Sequence, residues 1–394
     1  MKINYFKGTQ RIIAPNETIK NNIEKLKLIG INELKEITRL DRIRIPVFTA
    51  IREKTSSGKV GVYAGKGITT EHAKASAIME AFERYSAERN ENLNTQIATI
   101  NDLKNNYIHP KEFILPKKTE YNDQIAIEWS KSYDIVSGEE YLIPTNTVYH
   151  PYIPKSSAFP LFKAHTNGLA SGNVLEEAIL HGIYEVIERD AWSIFELTKK
   201  NSKEIDLDSI ENKNIQDILS KFEKNDIDIK LMDWTADVKV PTIAASSDDK
   251  VLKDPSLLTI GVGTHLNPEI AVLRALTEVA QSRASELHGG RKDAVRADFI
   301  HKAGYERMKK INKHYFEKEE NKINFNEIED KSTNSLTKNI DIVKDELVKN
   351  GLNKILYTDL TRDELGINVV RVNIPEMELF TIDRERAGNR CLKF

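Results

Sequence analysis

The sequence has a single cysteine, Cys391, so the chain alone can build neither a disulfide framework nor a cysteine-rich metal site. It also lacks any apolar run near the roughly 20 residues that a membrane-spanning helix needs. Its first residues, MKINYFKGTQRIIAP, have no apolar signal-peptide core. We therefore expect a cytoplasmic protein with no membrane segment.

The chain also has no excess of charge of one sign. The 394 residues include 58 Lys and Arg and 60 Asp and Glu, which gives a formal net charge of -2. No global field is expected to attract nucleic acid or an anionic membrane, so any bound anion must be held by local residues. With 40% hydrophobic residues, the chain can still bury a sizeable core.

Helical and strand patterns alternate along the chain. Apolar spacing from Asn16 to Arg39 predicts a helix capped by Asn16, and IPVFTAIRE and KVGVYAGKG read as strands. A hairpin is predicted at Ser137-Gly138, and KILYTDLT and INVVRVNIP read as core strands. Because no clean linker divides these elements, we predict one mixed α/β (α+β) domain over residues 1–394.

One stretch departs from this pattern. Residues from about 305 to 345 are rich in Lys, Asn and Glu and offer few core residues before IDIVKDELVKNG resumes a helical pattern. We interpret this stretch as a polar, charged excursion from the domain surface.

Two segments of the chain repeat each other. GITTEHAKASAIMEAFERYSAE, from Gly67, aligns without a gap on GNVLEEAILHGIYEVIERDAWS, from Gly172. The matched pairs are Glu71/Glu176, Ala73/Ala178, Ile78/Ile183, Glu80/Glu185, Glu83/Glu188 and Arg84/Arg189. A weaker third copy, HLNPEIAVLRALTEVAQSRA, places Glu278 in the first glutamate position and Gln281 in the second. The sequence therefore predicts three related loop-to-helix units.

Each of these predicted helices collects its polar residues on one face, opposite an apolar face. The polar faces comprise Ser76, Glu80, Glu83 and Arg84 in the first helix, His181, Glu185, Glu188 and Arg189 in the second, and Arg274, Glu278 and Gln281 in the third. In a single helix, glutamates one turn apart usually mark a solvated face.

The repetition of the glutamate pair favours a different interpretation. Like charges one turn apart repel by a few tenths of a kcal/mol, so a cation should face these carboxylates. Mg²⁺ prefers oxygen ligands and typically combines one or two carboxylates with phosphate oxygens and water. Four glutamates on two helices could therefore hold Mg²⁺ against the phosphates of a nucleotide.

Arginines and glycine-rich loops fit the same interpretation. Arg84 and Arg189 could each bind phosphate or pair with Glu80 or Glu185 within its own helix, and both roles stay open. The loops AGKGITT and NGLASGN lead into helix N-termini, which favour anions.

The sequence resembles the YcaO family. The resemblance rests on GKGITTEHAKASAIMEAFERYSAE, HTNGLASGNVLEEAILHGIYEVIERDA and AVLRALTEVAQSRASELHGGR, in that order, and spans nearly the whole chain. It implies the YcaO fold, a homodimer, and a Mg-ATP enzyme that phosphorylates the oxygen of a peptide-backbone amide after a nucleophile has attacked.

The resemblance also assigns residues. It implies Glu80, Glu83, Glu185 and Glu188 as Mg²⁺ ligands and catalytic residues, together with Arg189. For nucleotide binding it implies Arg11, Thr18, Lys66, Ser76, Arg84, Asn173, Arg189, Gln281 and Arg283.

Two branches of the family differ in their chemistry. Azoline-forming cyclodehydratases tend to end in a proline-rich PxPxP tail, whereas this chain ends DRERAGNRCLKF. The thioamide-forming branch of methanogenic archaea lacks that tail and resembles this chain in length. It implies a glycine amide in the α subunit of methyl-coenzyme M reductase (McrA) as target, a sulfide source, and a TfuA protein that assists sulfur delivery.

We therefore expect sulfide to attack the target carbonyl and the resulting oxyanion to attack the γ-phosphate of ATP. Three alternatives stay open: an azoline-forming cyclodehydratase acting on Cys, Ser or Thr, a non-catalytic Mg-ATP-binding scaffold, and a structural protein whose glutamate helices face solvent.

Overall fold

The computed structural model describes residues 1–89, 94–155, 157–289, 294–317, 319 and 321–394. The strands are β1 Asn4–Tyr5, β2 Gln10–Arg11, β3 Leu34–Glu36, β4 Val47–Arg52, β5 Gly61–Lys66, β6 Thr95–Ala98, β7 Ile127–Asp134, β8 Glu140–Pro144, β9 Leu169–Gly172, β10 Lys203–Glu204, β11 Ile227–Asp233, β12 Thr242–Asp249, β13 Thr259–Thr264, β14 Leu356–Asp359 and β15 Asn368–Asn373. The helices are α1 Pro15–Asn22, α2 Thr70–Ser86, α3 Leu175–Thr198, α4 Lys213–Glu223, α5 Pro268–Leu287, α6 Ala294–Ala303, α7 Tyr305–Ile311, α8 Lys313–Phe316 and α9 Leu336–Lys349. The predicted mixed α/β class is confirmed.

Within the described residues, β1 and β2 form a two-stranded antiparallel sheet, and the other strands form three larger antiparallel sheets. Their orders are β3-β4-β5, then β6-β7-β14-β15-β9 with β8 beside β7, and β10-β11-β12-β13. A long helix follows the edge strand of each sheet: β5 leads into α2, β9 into α3 and β13 into α5. The three predicted loop-to-helix units are therefore three strand-to-helix units, each at the edge of its own sheet.

Glycines in these edge strands allow the helices to lie directly on the sheets. A Cβ atom at Gly65 in β5 would lie 2.0 Å from the Ala77 backbone nitrogen of α2. At Gly172 in β9 it would lie 2.5 Å from the Ala178 nitrogen of α3. No real side chain tolerates such contacts, so glycine is required for this close packing.

The apolar faces of the three helices are buried, as predicted, and each contributes to a different apolar cluster. Ile78 and Phe82 of α2, Ile183 of α3 and Val279 of α5 are fully buried. Their burial fixes the rotation of each helix, since only one face can be apolar, and it turns the opposite polar faces towards one another.

The predicted helix from Asn16 to Arg39 is wrong in extent. α1 begins with Pro15 after Ala14 and ends at Asn22, a 3₁₀ helix covers Ile23–Ile29, and β3 follows. Gly30 closes the 3₁₀ helix at φ +77°, a conformation that favours glycine. The apolar spacing is compatible with either helix type over so few turns, so the pattern did not reveal the break.

The segment from 305 to 345 is less solvated than predicted. It contains α7, α8 and the start of α9, and Tyr315 is buried against Phe195 and Trp234, with ring centroids 5.7 and 6.0 Å away. Aromatic anchors thus attach a mostly polar segment to the β10–β13 sheet. Over the described residues, no helix has the length and apolarity to cross a membrane.

Candidate active site

The polar faces of α2, α3 and α5 meet at one cavity of about 1380 Å³. Twelve of the site residues predicted from the sequence line it: Arg11, Thr18, Lys66, Ser76, Glu80, Glu83, Arg84, Asn173, Glu185, Glu188, Arg189 and Gln281. Residues that are far apart in the sequence are thus collected around one space.

Contacts between each pair of strand-to-helix units close the walls of this cavity. Ser171 of β9 donates its backbone N–H to Glu83 Oε2 of α2 over 3.1 Å, joining the first and second units. Lys66 at the end of β5 lies 2.6 Å from Glu278 Oε2 of α5, joining the first and third. Arg274 of α5 donates to His181 Nδ1 of α3 over 3.2 Å, joining the second and third.

The carboxylates in the cavity are crowded and withdrawn from water. Burial raises the pKa of Glu83 well above its usual range, and Glu185 and Glu80 raise it further. Burial likewise raises the pKa of Glu185, and that of Glu188 to about 7, where Glu278 adds to the effect. Such carboxylates are stabilised in their charged form when a cation binds among them.

Two arginines on the same faces partly offset this charge. Arg84 lies 3.4 Å from Glu80 Oε1, which is the i to i+4 pairing left open by the sequence. Arg189 instead approaches its neighbour Glu188 at 3.3 Å, and its guanidinium lies 5.2 Å from the centre of the Trp192 ring. Both arginines also line the cavity.

Two of the predicted nucleotide contacts also hold the site together. Thr18 and Asn173 lie 3.0 Å apart between hydroxyl and side-chain amide oxygen, and Asn173 Nδ2 donates to Glu177 Oε2 over 3.0 Å. Glu177 Oε1 accepts the Ile12 backbone N–H at 2.6 Å. This chain of hydrogen bonds ties the N-terminal segment to the start of α3, and sequence reasoning missed Glu177.

Arg283 does not belong to the cavity, contrary to the prediction. Its side chain is fully buried, with Nε 2.7 Å from Asp41 Oδ2 and Nη2 2.9 Å from Asp249 Oδ2. Two residues along a helix correspond to a rotation of about 200°, so Arg283 points away from the face that carries Gln281. Gly290 and Arg291, at the end of the third family motif, lie outside the described residues.

Two further cavity residues were on the predicted polar faces without an assigned role. Burial lowers the pKa of His181 well below its ordinary value, and Arg274 lowers it further, so this imidazole is neutral. Because Arg274 donates to its Nδ1, the proton of the neutral ring resides on Nε2. Their helical-wheel positions on the polar faces were the sequence evidence that could have identified His181 and Arg274 as cavity residues.

The arrangement of the charged side chains suits a metal ion that is bound together with phosphate groups. Within the part of the chain that the structure describes, no three His, Cys, Asp or Glu side chains form a ready-made metal cage. Mg²⁺ is usually bound by one or two carboxylates and completes its shell with phosphate oxygens and water. Glutamates spread across a cavity that also carries arginines suit this mode of binding.

Comparisons with known proteins show what the whole chain is similar to. The profile of the family described as YcaO cyclodehydratase, ATP- and Mg²⁺-binding, matches residues 64–378. An uncharacterized protein of Methanothermobacter thermautotrophicus strain Delta H is 50% identical over 378 residues, which cover 96% of this chain and 97% of the relative.

Two more distant relatives are also similar. An uncharacterized protein encoded in the tfuA 3′ region of Rhizobium leguminosarum bv. trifolii is 28% identical, over 94% of this chain and 89% of its own length. The structure of YcaO from Methanopyrus kandleri bound with AMPPCP and Mg²⁺ superposes with a TM-score of 0.82 at 28% identity, covering 99% of this chain and 98% of that one.

Proposed function

This chain belongs to the YcaO family, and from that premise we propose that it is a Mg²⁺- and ATP-dependent enzyme that converts a peptide-backbone amide into a thioamide. The observation that carries the proposal is the convergence of α2 and α3 at one cavity, to which each helix brings a pair of glutamates followed by an arginine. The family match confirms the prediction of ATP and Mg²⁺ as cofactors, since the family is described as binding both.

In this proposal Glu80, Glu83, Glu185 and Glu188 hold Mg²⁺, which supplies positive charge to the phosphates of ATP. Arg84 and Arg189 bind phosphate oxygens with their planar guanidiniums. Arg11, Thr18, Lys66, Ser76, Asn173 and Gln281 line the same cavity and bind the rest of the nucleotide. Every one of these groups neutralises charge or aligns the reactants, so no covalent intermediate on the protein is required.

The proposed reaction balances with hydrosulfide as nucleophile. HS⁻ adds to the amide carbon, and the resulting oxyanion takes the γ-phosphoryl group from ATP, which releases ADP. The C–O bond then breaks, the sulfhydryl proton leaves with the phosphate, and C=S forms. The products are the thioamide, ADP and hydrogen phosphate. A carbonyl oxygen is a poor leaving group, and phosphorylation makes its departure favourable.

Sulfide as nucleophile is supported by two of the relatives. One is a half-identical protein from a methanogen, and the other is encoded beside tfuA. We propose a glycine in the α subunit of methyl-coenzyme M reductase as the target, with a TfuA-type protein delivering sulfur. The homodimer stays a prediction.

Azoline formation is the second candidate, because the matching family is described as a cyclodehydratase family. In that reaction the nucleophile is a Cys, Ser or Thr side chain of the substrate itself, and no sulfide is consumed. The two reactions therefore differ in the mass change of the peptide.

The test is incubation of the full chain with Mg-ATP and sodium sulfide, together with a glycine-containing peptide from methyl-coenzyme M reductase or a Cys-containing peptide. We expect the glycine peptide to gain the mass difference between sulfur and oxygen. Loss of one water from the Cys peptide, with no change in the glycine peptide, would replace this proposal by azoline formation.

Matched variants connect that result to the cavity. Glu188→Gln should abolish the reaction, while Glu71→Gln, which changes an exposed glutamate of α2 that does not line the cavity, should retain it. Unchanged turnover in Glu188→Gln would remove the metal-binding assignment.

A further inference from the structure

The catalytic cavity is larger than one small ligand requires. Its volume of about 1380 Å³ exceeds the roughly 300–1,000 Å³ of an ordinary ligand pocket. The proposed nucleotide contacts and metal ligands lie around the polar faces of α2, α3 and α5. Another part of the wall is one face of the β3-β4-β5 sheet, with Thr49, Ile51, Val62 and Ala64. The cavity therefore has room for a second reactant beside ATP.

This sheet turns one face to the cavity and the other to α2. Side chains alternate along β5, so that Tyr63 is buried and Gly65 packs against Ala77 of α2, whereas Val62 is 58% exposed. Ile51 of β4 is the cross-strand neighbour of Val62 and is 38% exposed. Both residues line the cavity, so they form an apolar patch where the cavity opens to solvent.

The backbone of β5 is open along one edge, because β5 is the last strand of its sheet. On the β3 side of β4, the Val47 carbonyl accepts from Ile37 N at 3.0 Å. Backbone groups alternate sides along a strand, so those of Ile51, four residues further on, also point towards β3. Val62 is paired with Ile51, and its N–H and C=O accordingly point away from β4, out of the sheet.

These outward groups of Val62 have no hydrogen-bond partner in the part of the chain that the structure describes. Two residues further along β5, the outward carbonyl of Ala64 does have one, since it accepts from Gln281 Nε2 of α5. The free edge of β5 therefore ends where α5 meets it. An exposed strand edge of this kind can pair with an extended chain.

A groove runs from this contact to the surface. The Gln281 contact lies one turn of α5 beyond the Glu278 ion pair and two residues before Lys66 on β5, so the helix and the strand run in opposite directions. Ser285, one turn further along α5, also lines the cavity. We call the space between the free edge of β5 and this turn of α5 the edge groove. Peptides commonly bind between a sheet edge and a helix in this way.

We propose that the edge groove binds the substrate peptide as an extended strand added to β5, with apolar side chains of the peptide on Ile51 and Val62. This inference rests on the proposed function. Gln281 stops the pairing, so the peptide beyond that point enters the cavity with its amides free of strand hydrogen bonds and able to react. The substrate class is therefore an unfolded segment or a chain end with apolar residues at alternate positions beside the modified amide.

A second copy of this chain suits the edge groove less well than a peptide does. In a two-fold dimer each subunit presents the same surface to the other. The patch of Ile51 and Val62 lies in a cavity wall, and two recessed surfaces do not fill one another. A single extended strand can enter the groove and reach the unpaired groups of Val62.

Peptide binding tests the proposal without any reaction. Fluorescence anisotropy is measured on the full chain saturated with Mg-AMPPCP. The probes are the labelled glycine peptide of the thioamidation assay and copies of it that are N-methylated at one backbone amide each. Methylation removes one donor, so affinity should fall about fivefold or more at a residue that pairs with Val62 and little at its two neighbours. Equal effects at every position, or no binding of any peptide, would overturn the proposal.

Two variants locate the binding. Val62→Pro removes the outward N–H and leaves the hydrogen bonds between β4 and β5 in place, and Ile51→Asp puts a charge on the apolar patch. Each should raise the peptide Kd about fivefold or more, while the Kd for Mg-AMPPCP changes by less than about twofold. Unchanged peptide affinity in both variants would contradict the proposal. Weaker nucleotide binding with unchanged peptide binding would assign the groove to the base of ATP instead.

Ile97→Asp is the matched control, because Ile97 is an exposed apolar residue of the edge strand β6 that does not line the cavity. It should bind the peptide as the wild type does. A wild-type dimer that Val62→Pro and Ile51→Asp both separate into monomers in the ultracentrifuge would make the groove a subunit interface and overturn the proposal. Peptide binding with the predicted pattern but no thioamide product would refute the proposed function alone.

Discussion

Lys66 of β5 and Glu278 of α5 form an ion pair of 2.6 Å that joins the first strand-to-helix unit to the third. Both side chains are mostly buried, with 24% and 19% of their surface exposed. Burial alone would raise the pKa of Glu278, but Lys66, with help from Arg189, lowers it below its usual range. The pair thus keeps one carboxylate of the cavity ionised and holds α5 in place.

Lys66→Met should therefore destabilise the protein by about 1–3 kcal/mol, because it leaves Glu278 partly buried without its counter-charge. Urea unfolding measures this change. Lys59→Met, which alters an exposed lysine near β5, is the control and should have little effect. A double-mutant cycle with Glu278→Gln should show coupling between the two positions, and additive effects would contradict the pairing.

Glu83→Gln should make the ligand-free protein more stable at neutral pH. Because the pKa of Glu83 is raised in the folded state, ionising this group disfavours folding above the pKa of the unfolded chain. The Gln variant carries no charge to bury, so its free energy of unfolding should exceed that of the wild type at pH 8. Thermal unfolding at pH 8 measures it.

The same variant should lose the stabilisation that Mg-ATP gives the wild type, since a proposed metal ligand has been removed. A lower Tm for ligand-free Glu83→Gln would show that its hydrogen bonds with Ser171 outweigh the cost of the buried charge.

Arg283→Met tests the reassignment of Arg283 from the nucleotide to the core. Removing one partner of its buried contacts with Asp41 and Asp249 should cost about 3–5 kcal/mol of stability. The folded fraction of the variant should bind Mg-ATP as the wild type does, which calorimetry at low temperature can measure. A large loss of affinity in a stably folded variant would return Arg283 to the nucleotide site.

Protonation of the Asp249 carboxylate should lower the free energy of unfolding at acidic pH. Burial acts to raise its pKa, but Arg42 and Arg283 outweigh it and lower the pKa from 3.8 to about 2. The resulting stabilisation, about 2 kcal/mol, is complete above pH 3.8 and is lost as the pH falls towards 2. Unfolding free energies between pH 5 and 2 should therefore fall more steeply for the wild type than for Asp249→Asn. Parallel curves would exclude this contribution.

Much of the site could be predicted from the sequence because it repeats a helical pattern. The apolar residues around Ile78 and Ile183 had to be buried, and their burial forced Glu80, Glu83, Glu185 and Glu188 to the opposite faces. The repeat itself indicated that these faces belong together.

The features that the sequence did not reveal depend on contacts between residues that are far apart in the chain. The wheel position of Arg283 could not show that Asp41 and Asp249 lie beside it. In the sequence, Glu177 is an ordinary acidic residue in the first turn of a helix. Only the structure shows that it accepts a hydrogen bond from the N-terminal segment.

The most direct test of the proposed chemistry follows the oxygen atom of the amide. A glycine peptide whose carbonyl carries heavy oxygen is incubated with the full chain, Mg-ATP and sulfide, and the released phosphate is analysed by mass spectrometry. If the amide oxygen is phosphorylated before it leaves, each thioamide formed should yield one phosphate that contains the label. Thioamide formation with unlabelled phosphate, or phosphate release without any thioamide, would contradict the account.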